Sequence, residues 1–256
     1  MRDYRCTLYV SSCDSYSDLW EGFFFFLNKR WPDCPFPIVL VSESKTFGAD
    51  GMDIRCPRLN RTDRKIPWGD LQLRALDTID SPYILFMLED FFISRGVDGD
   101  MIRQCLDWMD ADSGIGKFML RPARAERGVE CGFTPFRQSL KLDWCVNAQA
   151  AIWRTDLFRR AITPHISVWD WENIASRYAR GWPERFYIIN EDWSDSAPIY
   201  YAGGGVVHNG MWIEEALQLL RRNGLNIDVN RRGVARGYRH KPPFIVDDID
   251  GIVKMD

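Results

Sequence analysis

The stretch SPYILFMLEDFF, residues 81–92, joins an apolar strand directly to two acidic residues. Its central part, Tyr83 to Leu88, is a run of six apolar residues, which is typical of a strand buried on both faces of a sheet. Glu89 and Asp90 follow at once. Adjacent carboxylates held between bulky side chains repel each other unless a cation or water lies beside them. The stretch therefore predicts a buried strand whose end faces an arginine, a metal ion or solvent.

The length and composition of the chain favour one large α/β domain over two small ones. The chain has 256 residues, of which 46% are hydrophobic and 14% aromatic, so it can bury a substantial core. Its formal net charge is −3 and its sequence pI is about 5.7. This charge balance argues against a broad nucleic-acid-binding surface. We expect a single domain over 1–256 that binds no nucleic acid.

Seven cysteines are scattered through the chain, and none of them forms a CxxC pair. This pattern indicates reduced thiols and argues against a disulfide framework or a structural zinc site. The first residues, MRDYRCTLYV, lack the apolar core of a signal peptide. No stretch approaches the roughly 18 apolar residues of a membrane-spanning helix. We therefore expect a soluble, cytoplasmic protein.

Strand and helix patterns alternate along the first half of the chain. Strands are predicted over residues 5–10, 35–43, 53–56 and 83–88. One helix is predicted to start at Ser17 or Asp18, and two more to span 68–79 and 98–109. Alternating apolar strands and helices are typical of a mostly parallel sheet covered by helices. The predicted fold class is therefore α/β, with a Rossmann-like central sheet.

The second half of the chain is less regular. Strands are predicted over 117–122, 186–190 and 199–203, with hairpin pieces before Asp143. The stretch AQAAIWR, residues 148–154, precedes a short helix. Helices are predicted over 155–161, 169–181 and 211–224.

Polar side chains follow three of the predicted strands. Ligands of such sheets bind beyond the carboxyl ends of the strands, so side chains at these ends can line one cleft. These residues are Ser11, Ser12, Asp14, Ser42, Glu43, Glu89 and Asp90.

A strand that ends in an acidic pair, followed by a second half with an acid-bearing helix, resembles the GT-A glycosyltransferases. The resemblance is closest to the bacterial family-2-like enzymes of surface polysaccharide assembly, and it covers residues 5–95 well and the remainder loosely. It implies a nucleotide-sugar-binding half over 1–110 and an acceptor half over 111–256 with a basic C-terminal segment. In that family a DxD signature coordinates a divalent metal on the diphosphate of the donor. LEDFF departs from this signature, because its acids are adjacent.

The resemblance implies a divalent cation, Mn²⁺ or Mg²⁺, at the acidic pair, and hard oxygen ligands suit both ions. Neighbouring strand residues point to opposite faces, so both acids reach one ion only if the chain turns there. We predict Asp90 as the main ligand, and Glu89 as a second ligand or an aid to ribose binding. An N-cap for the following loop, or a salt bridge to Arg95, is the alternative.

The resemblance also implies donor contacts in the first half. In the family, the loop after the first strand contacts the nucleotide, and an acid after the second strand often faces the base or ribose. The helix before the acidic strand would cover the nucleotide with its first residues. Carried onto this sequence, the nucleotide-sugar-binding residues are Ser11, Ser12, Asp14, Glu43, Trp68, Gly69 and Glu89. The polar positions can equally be turn formers or caps, and the tryptophan a core residue.

Inverting members of the family use a carboxylate, usually on a helix of the acceptor half, to remove the proton from the acceptor hydroxyl. The segment SVWDWENIASR offers Asp170 and Glu172, which do not share a face of a helix. Glu172 is favoured, because Asp170 lies where an N-terminal cap is useful. Asp192, in the loop-like NEDWSD, ranks lower. The alternative is an ordinary amphipathic helix with Trp169 and Trp171 in the core and both acids solvated.

The stretch YYAGGGVVHNGMW, residues 200–212, joins a predicted strand to a helix through Gly203, Gly204 and Gly205. It matches neither a dinucleotide-binding motif nor a P-loop, but its backbone can approach a diphosphate or acceptor closely. Some GT-A enzymes supply a late histidine to the metal, and this would be His208. A structural loop histidine is the alternative.

Basic residues dominate the stretch from Arg221 to Lys241. They can bind the diphosphate, or hold the enzyme in peripheral contact with an anionic membrane that contains lipid-linked acceptors. A solvated basic tail is the alternative.

These features predict a glycosyltransferase that moves a sugar from a nucleoside-diphosphate donor to a saccharide or lipid-linked acceptor. The resemblance alone implies inversion and metal dependence. A sugar nucleotidyltransferase is a second possibility, although SSCDSYSD has no glycine or lysine for the loop that such an enzyme needs after its first strand. A degenerate GT-A domain that binds glycans or partners without turnover is the third.

Overall fold

The computed structural model describes residues 2–60, 65–121, 127–189, 196–201, 205–238, 246–248 and 251–253. The chain forms two compact units, each built from three segments. The sheet unit comprises Met1–Asp14, Cys34–Leu88 and Asp98–Pro198. The second unit comprises Ser15–Asp33, Glu89–Val97 and Ile199–Asp256. The boundary predicted between residues 110 and 111 falls inside the sheet unit.

The sheet unit is built on one nine-stranded sheet. In chain order its strands are β1 (Cys6–Ser11), β2 (Ile38–Leu40), β3 (Ile54–Arg55), β4 (Tyr83–Leu88), β5 (Ile115–Met119), β6 (Gly128–Glu130), β7 (Phe136–Ser139), β8 (Ala151–Arg154) and β9 (Arg185–Ile189). Their order across the sheet is β3-β2-β1-β4-β8-β5-β9-β7-β6.

Most strands of this sheet point the same way. β1 is parallel to β2 and β4, and β2 is parallel to β3. β8 runs against both of its neighbours, β4 and β5, and β7 runs against β9 and β6. Since β5 and β9 are parallel to each other, β7 and β8 alone oppose the other strands of the nine. The predicted mostly parallel α/β sheet is confirmed.

The register of the parallel strands aligns their carboxyl ends. Ser11 of β1 lies opposite Leu88 of β4, and Val10 lies opposite Leu40 of β2. The chain therefore leaves β1, β2 and β4 at one edge of the sheet, where the candidate donor residues follow.

Six helices are present in the described part of the chain. They are α1 (Trp20–Arg30), α2 (Trp68–Leu76), α3 (Gly99–Ala111), α4 (Thr155–Ala161), α5 (Val168–Ala179) and α6 (Glu214–Arg222), of which α1 and α6 belong to the second unit. Two begin at side-chain caps: Asp98 accepts a hydrogen bond from the Met101 amide at 2.9 Å, and Ser167 accepts one from the Asp170 amide at 3.1 Å. None of the described helices is long and apolar enough to cross a membrane.

Aromatic side chains fill the core between the sheet and helices α2, α4 and α5. Tyr9 and Phe86, on β1 and β4, stack with ring centroids 6.2 Å apart. Phe158 of α4 and Trp171 of α5 meet edge to face at 5.7 Å. All four side chains are fully buried. Their packing holds α4 and α5 against one face of the sheet.

The second unit packs around Phe92. The Phe92 ring lies 5.5 Å from the Phe26 ring of α1 and 6.4 Å from the Trp212 ring. A Cβ on Gly22 would lie 2.5 Å from the Phe92 ring, so the small residue lets α1 approach. Two short hairpins complete the unit: β10 (Val207–His208) with β11 (Met211–Trp212), and β12 (Val246–Asp248) with β13 (Gly251–Val253).

Two boundaries in the first half differ from the prediction. The strand predicted over 35–43 is confined to β2, because Pro35 and Pro37 have no amide hydrogen for pairing. The first helix begins at Trp20, after a 3₁₀ turn over Asp14–Tyr16, and not at Ser17 or Asp18.

Two predictions near the end of the chain were wrong. The helix predicted over 211–224 begins only at Glu214, because Asn209 and Gly210 form the turn of the hairpin β10–β11. Both turn residues have positive φ, 49° and 77°, which a two-residue hairpin turn of this hand requires. In place of a strand over 199–203, Tyr201 makes a single bridge to Ile93, and residues 202–204 lie outside the described residues.

We predict that Leu85→Ala lowers the free energy of unfolding by about 2–5 kcal/mol. Leu85 is fully buried on the central strand β4, so the substitution leaves a cavity. Leu142→Ala is the control, because Leu142 is 41% exposed and its loss changes stability by less than about 0.5 kcal/mol. Urea unfolding followed by circular dichroism measures both, and equal midpoints for the two variants contradict the placement of β4 in the core.

Candidate functional site

Two buried serines lie at the carboxyl end of β1. Ser11 and Ser12 are 1% and 6% exposed. At the start of α2, the indole nitrogen of Trp68 donates a hydrogen bond to Ser11 Oγ at 3.2 Å. The Trp68 ring also lies 5.0 Å from the ring of Trp171. These contacts fix Ser11 and Trp68 against each other, and part of Trp68 stays exposed to solvent.

Gly69 serves helix packing. Its amide donates to the Ile166 carbonyl at 3.0 Å, and a Cβ at this position would overlap the Thr163 carbonyl oxygen. A glycine is therefore needed for α2 to lie against the segment before α5. Trp68 and Gly69 were predicted to cover the nucleotide. Gly69 is buried, and Trp68 supplies the partly exposed side chain.

Asp14 lies in the loop after β1 and holds the loop after β2 through hydrogen bonds. Its carboxylate accepts hydrogen bonds from the amides of Glu43, Ser44 and Lys45 at 3.0–3.2 Å, and from Ser44 Oγ at 2.5 Å. In return, the Glu43 carboxylate accepts a hydrogen bond from the Asp14 amide. Burial acts to raise the pKa of Asp14, but the Ser44 hydroxyl and the backbone amides outweigh it, so the pKa lies below its ordinary value. The nucleotide contacts predicted for Asp14 and Glu43 stay predictions.

The two acids of α5 have different surroundings. Asp170 completes the cap of the helix, because Ser167 Oγ donates to its carboxylate at 2.7 Å. Glu172 is 8% exposed, and its Oε1 accepts a hydrogen bond from the Ala148 amide at 2.7 Å. Burial raises the pKa of Glu172, against the lowering effects of the Ala148 amide and the Lys117 charge. Glu172 is thus a basic carboxylate held in one orientation.

The flanking tryptophans also differ. Trp171 is fully buried, whereas Trp169 is 73% exposed. The alternative that places both in the core is therefore wrong for Trp169. The third candidate acid, Asp192, lies outside the described residues.

A buried lysine near Glu172 was not predicted from the sequence. Lys117 of β5 is 1% exposed, and its Nζ donates to the Cys145 carbonyl at 2.9 Å. The same Nζ lies 4.8 Å from the centroid of the Trp153 ring, within reach of a cation–π interaction. The available signal was a lysine inside the apolar stretch GIGKFML, because an ammonium group is rarely buried without partners.

In the second unit, Asp90 has a buried carboxylate oxygen. Its Oδ1 is shielded from solvent and accepts no hydrogen bond from the residues that the structure describes. Burial is the main cause that raises the pKa of Asp90 to about 7, while its own amide and the charge of Arg232 act in the opposite direction. Such a carboxyl group is ready to exchange its proton for a cation near neutral pH.

Gly205 leaves room for the Asp90 side chain. Its φ is +84°, and a Cβ at this position would overlap the Asp90 carboxylate. The amide of the next residue, Val206, donates to the Asp90 carbonyl at 3.0 Å. The last glycine of the glycine loop thus packs against the acid, whereas Gly203 and Gly204 lie outside the described residues.

The predicted metal ligands Glu89, Asp90 and His208 do not form a three-ligand site. Across the described ranges, no three His, Cys, Asp or Glu side chains are grouped so that they could hold a metal ion. The His208 ring stacks on Tyr238 at 3.8 Å, and its Nε2 lies 3.2 Å from the side-chain nitrogen of Asn209. The unpartnered oxygen of Asp90 fits a cation whose other ligands are phosphate oxygens and water, which is a common arrangement for Mg²⁺.

Part of the basic C-terminal segment is held within the second unit. Arg232 donates to both oxygens of Asp18, at 2.7 and 2.5 Å, and to the Gly210 carbonyl at 3.0 Å. Arg231 donates to Ser17 Oγ at 3.0 Å. The solvated-tail alternative is therefore wrong for Arg232, whose side chain is 8% exposed, whereas Arg231 stays exposed to solvent. The last two basic residues of the segment lie outside the described residues.

Comparisons with known proteins show likeness in fold. No family model and no curated protein sequence matches the chain. The crystal structure of S. aureus TarS 1–349 matches 78% of this chain and 60% of that chain, with 14% identity and a TM-score of 0.50. The same fragment in complex with UDP-GlcNAc matches 78% of this chain and 58% of that chain, with 16% identity and a TM-score of 0.50.

The chain thus spans about 60% of the length of the TarS fragment that it matches. TarS is a GT-A glycosyltransferase, and at this identity the likeness is one of fold. The mixed, mostly parallel nine-stranded sheet with flanking helices matches it. The fold that the strand order and the acidic pair suggested is therefore confirmed, and the chain has the GT-A fold.

Proposed function

We propose that this chain is a glycosyltransferase that moves a sugar from a nucleoside-diphosphate donor to a saccharide or lipid-linked acceptor. One observation carries the proposal: directly after β4 of a GT-A sheet, Asp90 holds a buried carboxylate oxygen that has no hydrogen-bond partner among the described residues. An unpaired buried acid costs stability, so its presence at this position favours a function in binding a cation.

Asp90 would be the protein ligand of a divalent cation, Mn²⁺ or Mg²⁺, with Glu89 as a second ligand or on the ribose. When bound, the cation would neutralise the charge that builds on the departing diphosphate. The chain itself fixes the carboxylate, because Gly205 packs against the side chain and the Val206 amide holds its carbonyl.

The nucleotide would contact the sheet unit at the ends of β1 and β2. Ser11 and Ser12 offer hydroxyl groups there, and Trp68 offers a partly exposed ring whose position the bond to Ser11 fixes. Asp14 and Glu43 keep the two loops together, which leaves the loops preformed for a ligand. Since the TarS fragment has been crystallised with UDP-GlcNAc, uridine nucleotides are the first donors to test.

A carboxylate would remove the proton from the acceptor hydroxyl as its oxygen attacks the anomeric carbon and the diphosphate leaves, which inverts the anomeric centre. Glu172 suits this function through its raised pKa and fixed orientation. Asp192 is its rival, because it follows β9 in the sequence and β9 ends at the same edge of the sheet as β1 and β4. Asp170 is less suited, since Ser167 already binds its carboxylate.

A lipid-linked acceptor would add a peripheral membrane contact. Arg232 is held within the second unit by its bonds to Asp18, so any such contact would use the other basic residues of the segment. Binding to vesicles with and without anionic lipid measures it.

The first prediction concerns nucleotide binding. We expect UDP, tested beside GDP, CDP and dTDP, to raise the melting temperature only when Mn²⁺ is present, because a ligand that binds only the folded state stabilises it. Asp90→Asn should abolish this shift. It should not lower the melting temperature without ligand, because an uncharged isostere removes the cost of burying a charge.

Asp100→Asn is the matched control, since Asp100 is an exposed acid of α3, and it should keep the metal-dependent shift. If Asp90→Asn keeps the full metal-dependent rise in melting temperature, the assignment of Asp90 as the metal ligand is wrong. A shift with no turnover of any nucleotide sugar favours the non-catalytic binding module instead. Release of pyrophosphate from a nucleoside triphosphate and a sugar phosphate identifies a nucleotidyltransferase.

The second prediction separates the two candidate bases. Glu172→Gln should leave nucleotide binding intact and reduce transfer by about 10²- to 10⁴-fold, and the amide oxygen can still accept the hydrogen bond from Ala148. Asp192→Asn is measured beside it in the same transfer assay. If Glu172→Gln keeps full activity and Asp192→Asn loses it, the base is Asp192.

The third prediction concerns pH. A base works when it is deprotonated, so kcat/KM falls as the pH drops through its pKa. Because burial raises the pKa of Glu172 above the ordinary 4.5, the loss should begin at a higher pH than for an exposed glutamate. A kcat/KM that stays constant from pH 7 down to about 4.5 would contradict the assignment of Glu172.

A further inference from the structure

The segment 145–148 lies between a buried lysine and the acid of α5. At one end, Lys117 Nζ donates to the Cys145 carbonyl at 2.9 Å. At the other end, the Ala148 amide donates to Glu172 Oε1 at 2.7 Å. A cation and a carboxylate thus hold the two ends of one short stretch of backbone.

The middle of the same segment is also fixed. Ser176, one turn after Glu172 on α5, accepts a hydrogen bond from the Val146 amide at 2.9 Å and donates to the Val146 carbonyl at 3.0 Å. The Cys145 thiol donates to the Ser176 carbonyl at 3.6 Å. The segment can therefore move little relative to α5, and the orientation of Glu172 depends on it.

Lys117 and Glu172 are both buried, at 1% and 8% exposure. Burying an ammonium group or a carboxylate is costly unless an opposite charge lies near it. The charge of Lys117 acts on Glu172 and lowers its pKa, against the larger opposite effect of burial. Each of the two groups therefore reduces the cost of burying the other.

Most other charged groups on α5 and on the elements around it have partners of their own. Helices α2 and α4 pack against α5. The charged residues with partners elsewhere are Asp70 with His165, Arg74 with the Leu59 carbonyl, Asp156 with the Leu157 amide, Arg159 with Asp77, and Arg160 with Glu184. On α5 itself, Asp170 bonds Ser167 and Arg177 is exposed to solvent. Arg180, just after the helix, pairs with Asp143. Lys117 is the cation whose charge acts on Glu172.

We propose that Lys117 is a positioning residue for Glu172: its bond to Cys145 holds the segment whose Ala148 amide orients the carboxylate, and its ammonium group favours the charged form of that carboxylate. The expected effect of Lys117 on sugar transfer rests on the proposed function, in which Glu172 is the base. The expected effect of Lys117 on the titration and orientation of Glu172 does not depend on that function.

The test removes the charge of Lys117 and keeps its length. In Lys117→Met, the midpoint of the Glu172 titration should rise. It is followed by NMR on protein with ¹³C-labelled glutamate and assigned with Glu172→Gln. Lys141→Met is the matched control, because Lys141 also donates to a backbone carbonyl, that of Trp182, and also lies by the Phe186 ring, at 5.3 Å against 5.7 Å for Lys117. In the control the midpoint should stay as in the wild type. An unchanged midpoint in Lys117→Met overturns the proposal.

Transfer activity gives the second measurement. If Glu172 is the base, the acid limb of kcat/KM moves up with the titration, and at a pH below both midpoints Lys117→Met loses about tenfold for each pH unit of the shift. A titration that moves while the acid limb stays in place supports the link between Lys117 and Glu172 and removes Glu172 as the base. The two measurements thus distinguish a failure of the link between Lys117 and Glu172 from a failure of the assignment of Glu172 as the base.

A reciprocal experiment covers the case in which Lys117→Met does not fold. In Glu172→Gln, whose side chain keeps the hydrogen bond to Ala148, the Lys117 ammonium loses its counter-charge. On protein with ¹³C-labelled lysine, Lys117 should release its proton at a lower pH than in the wild type. The same midpoint in both proteins overturns the proposal.

Discussion

The parallel pairing of β1 with β4 is the constraint on which the rest of the sheet unit depends. Both strands are almost completely buried, so a slip of one residue would turn their whole apolar set toward the wrong face. With Ser11 fixed opposite Leu88, the chain must leave both strands at the same edge. Ser11 at the end of β1 and Leu88 at the end of β4 are placed by this register.

Three acids show how the number of N–H and O–H donors around a partly buried carboxylate affects its pKa. Asp14 accepts hydrogen bonds from three amides and a hydroxyl, and its pKa is lowered despite burial. Glu172 accepts one from a backbone amide, and its pKa is raised. One oxygen of Asp90 accepts none, and its pKa rises to about 7. The raised pKa values thus belong to the acids whose oxygens accept the fewest hydrogen bonds.

Local sequence patterns predict the bounds of a strand or helix when residues at both of its ends mark where it stops. The strand over 83–88 and the helix over 155–161 were predicted with the bounds that the structure has, because turn residues and an acidic pair punctuate them. The hairpin at Asn209 and Gly210 was missed although its dipeptide is a strong turn signal. The glycine run before this dipeptide and the apolar residues after it favour a loop followed directly by a helix.

Interactions between distant residues were out of reach of such patterns. The hydrogen bonds from the amides after β2 to Asp14 join residues about thirty positions apart. The sequence offered a nucleotide contact, a turn former or a cap for this acid, but not a bond to a distant loop. Lys117 and Glu172 come together only because β5 and α5 both contact the segment 145–148. The position of Asp90 after a strand was visible in the sequence, but the lack of a partner for its oxygen was not.

The second unit is assembled from three stretches of chain, and the stretch that carries Asp90 is the middle one. Its bridge from Ile93 to Tyr201 and the contact of Gly205 with Asp90 both need the last stretch, which begins at Ile199. A ribosome adds only about 5–20 residues per second. Asp90 therefore spends several seconds of synthesis as an ordinary acid in water, and it acquires its unusual chemistry only when the final part of the chain has emerged.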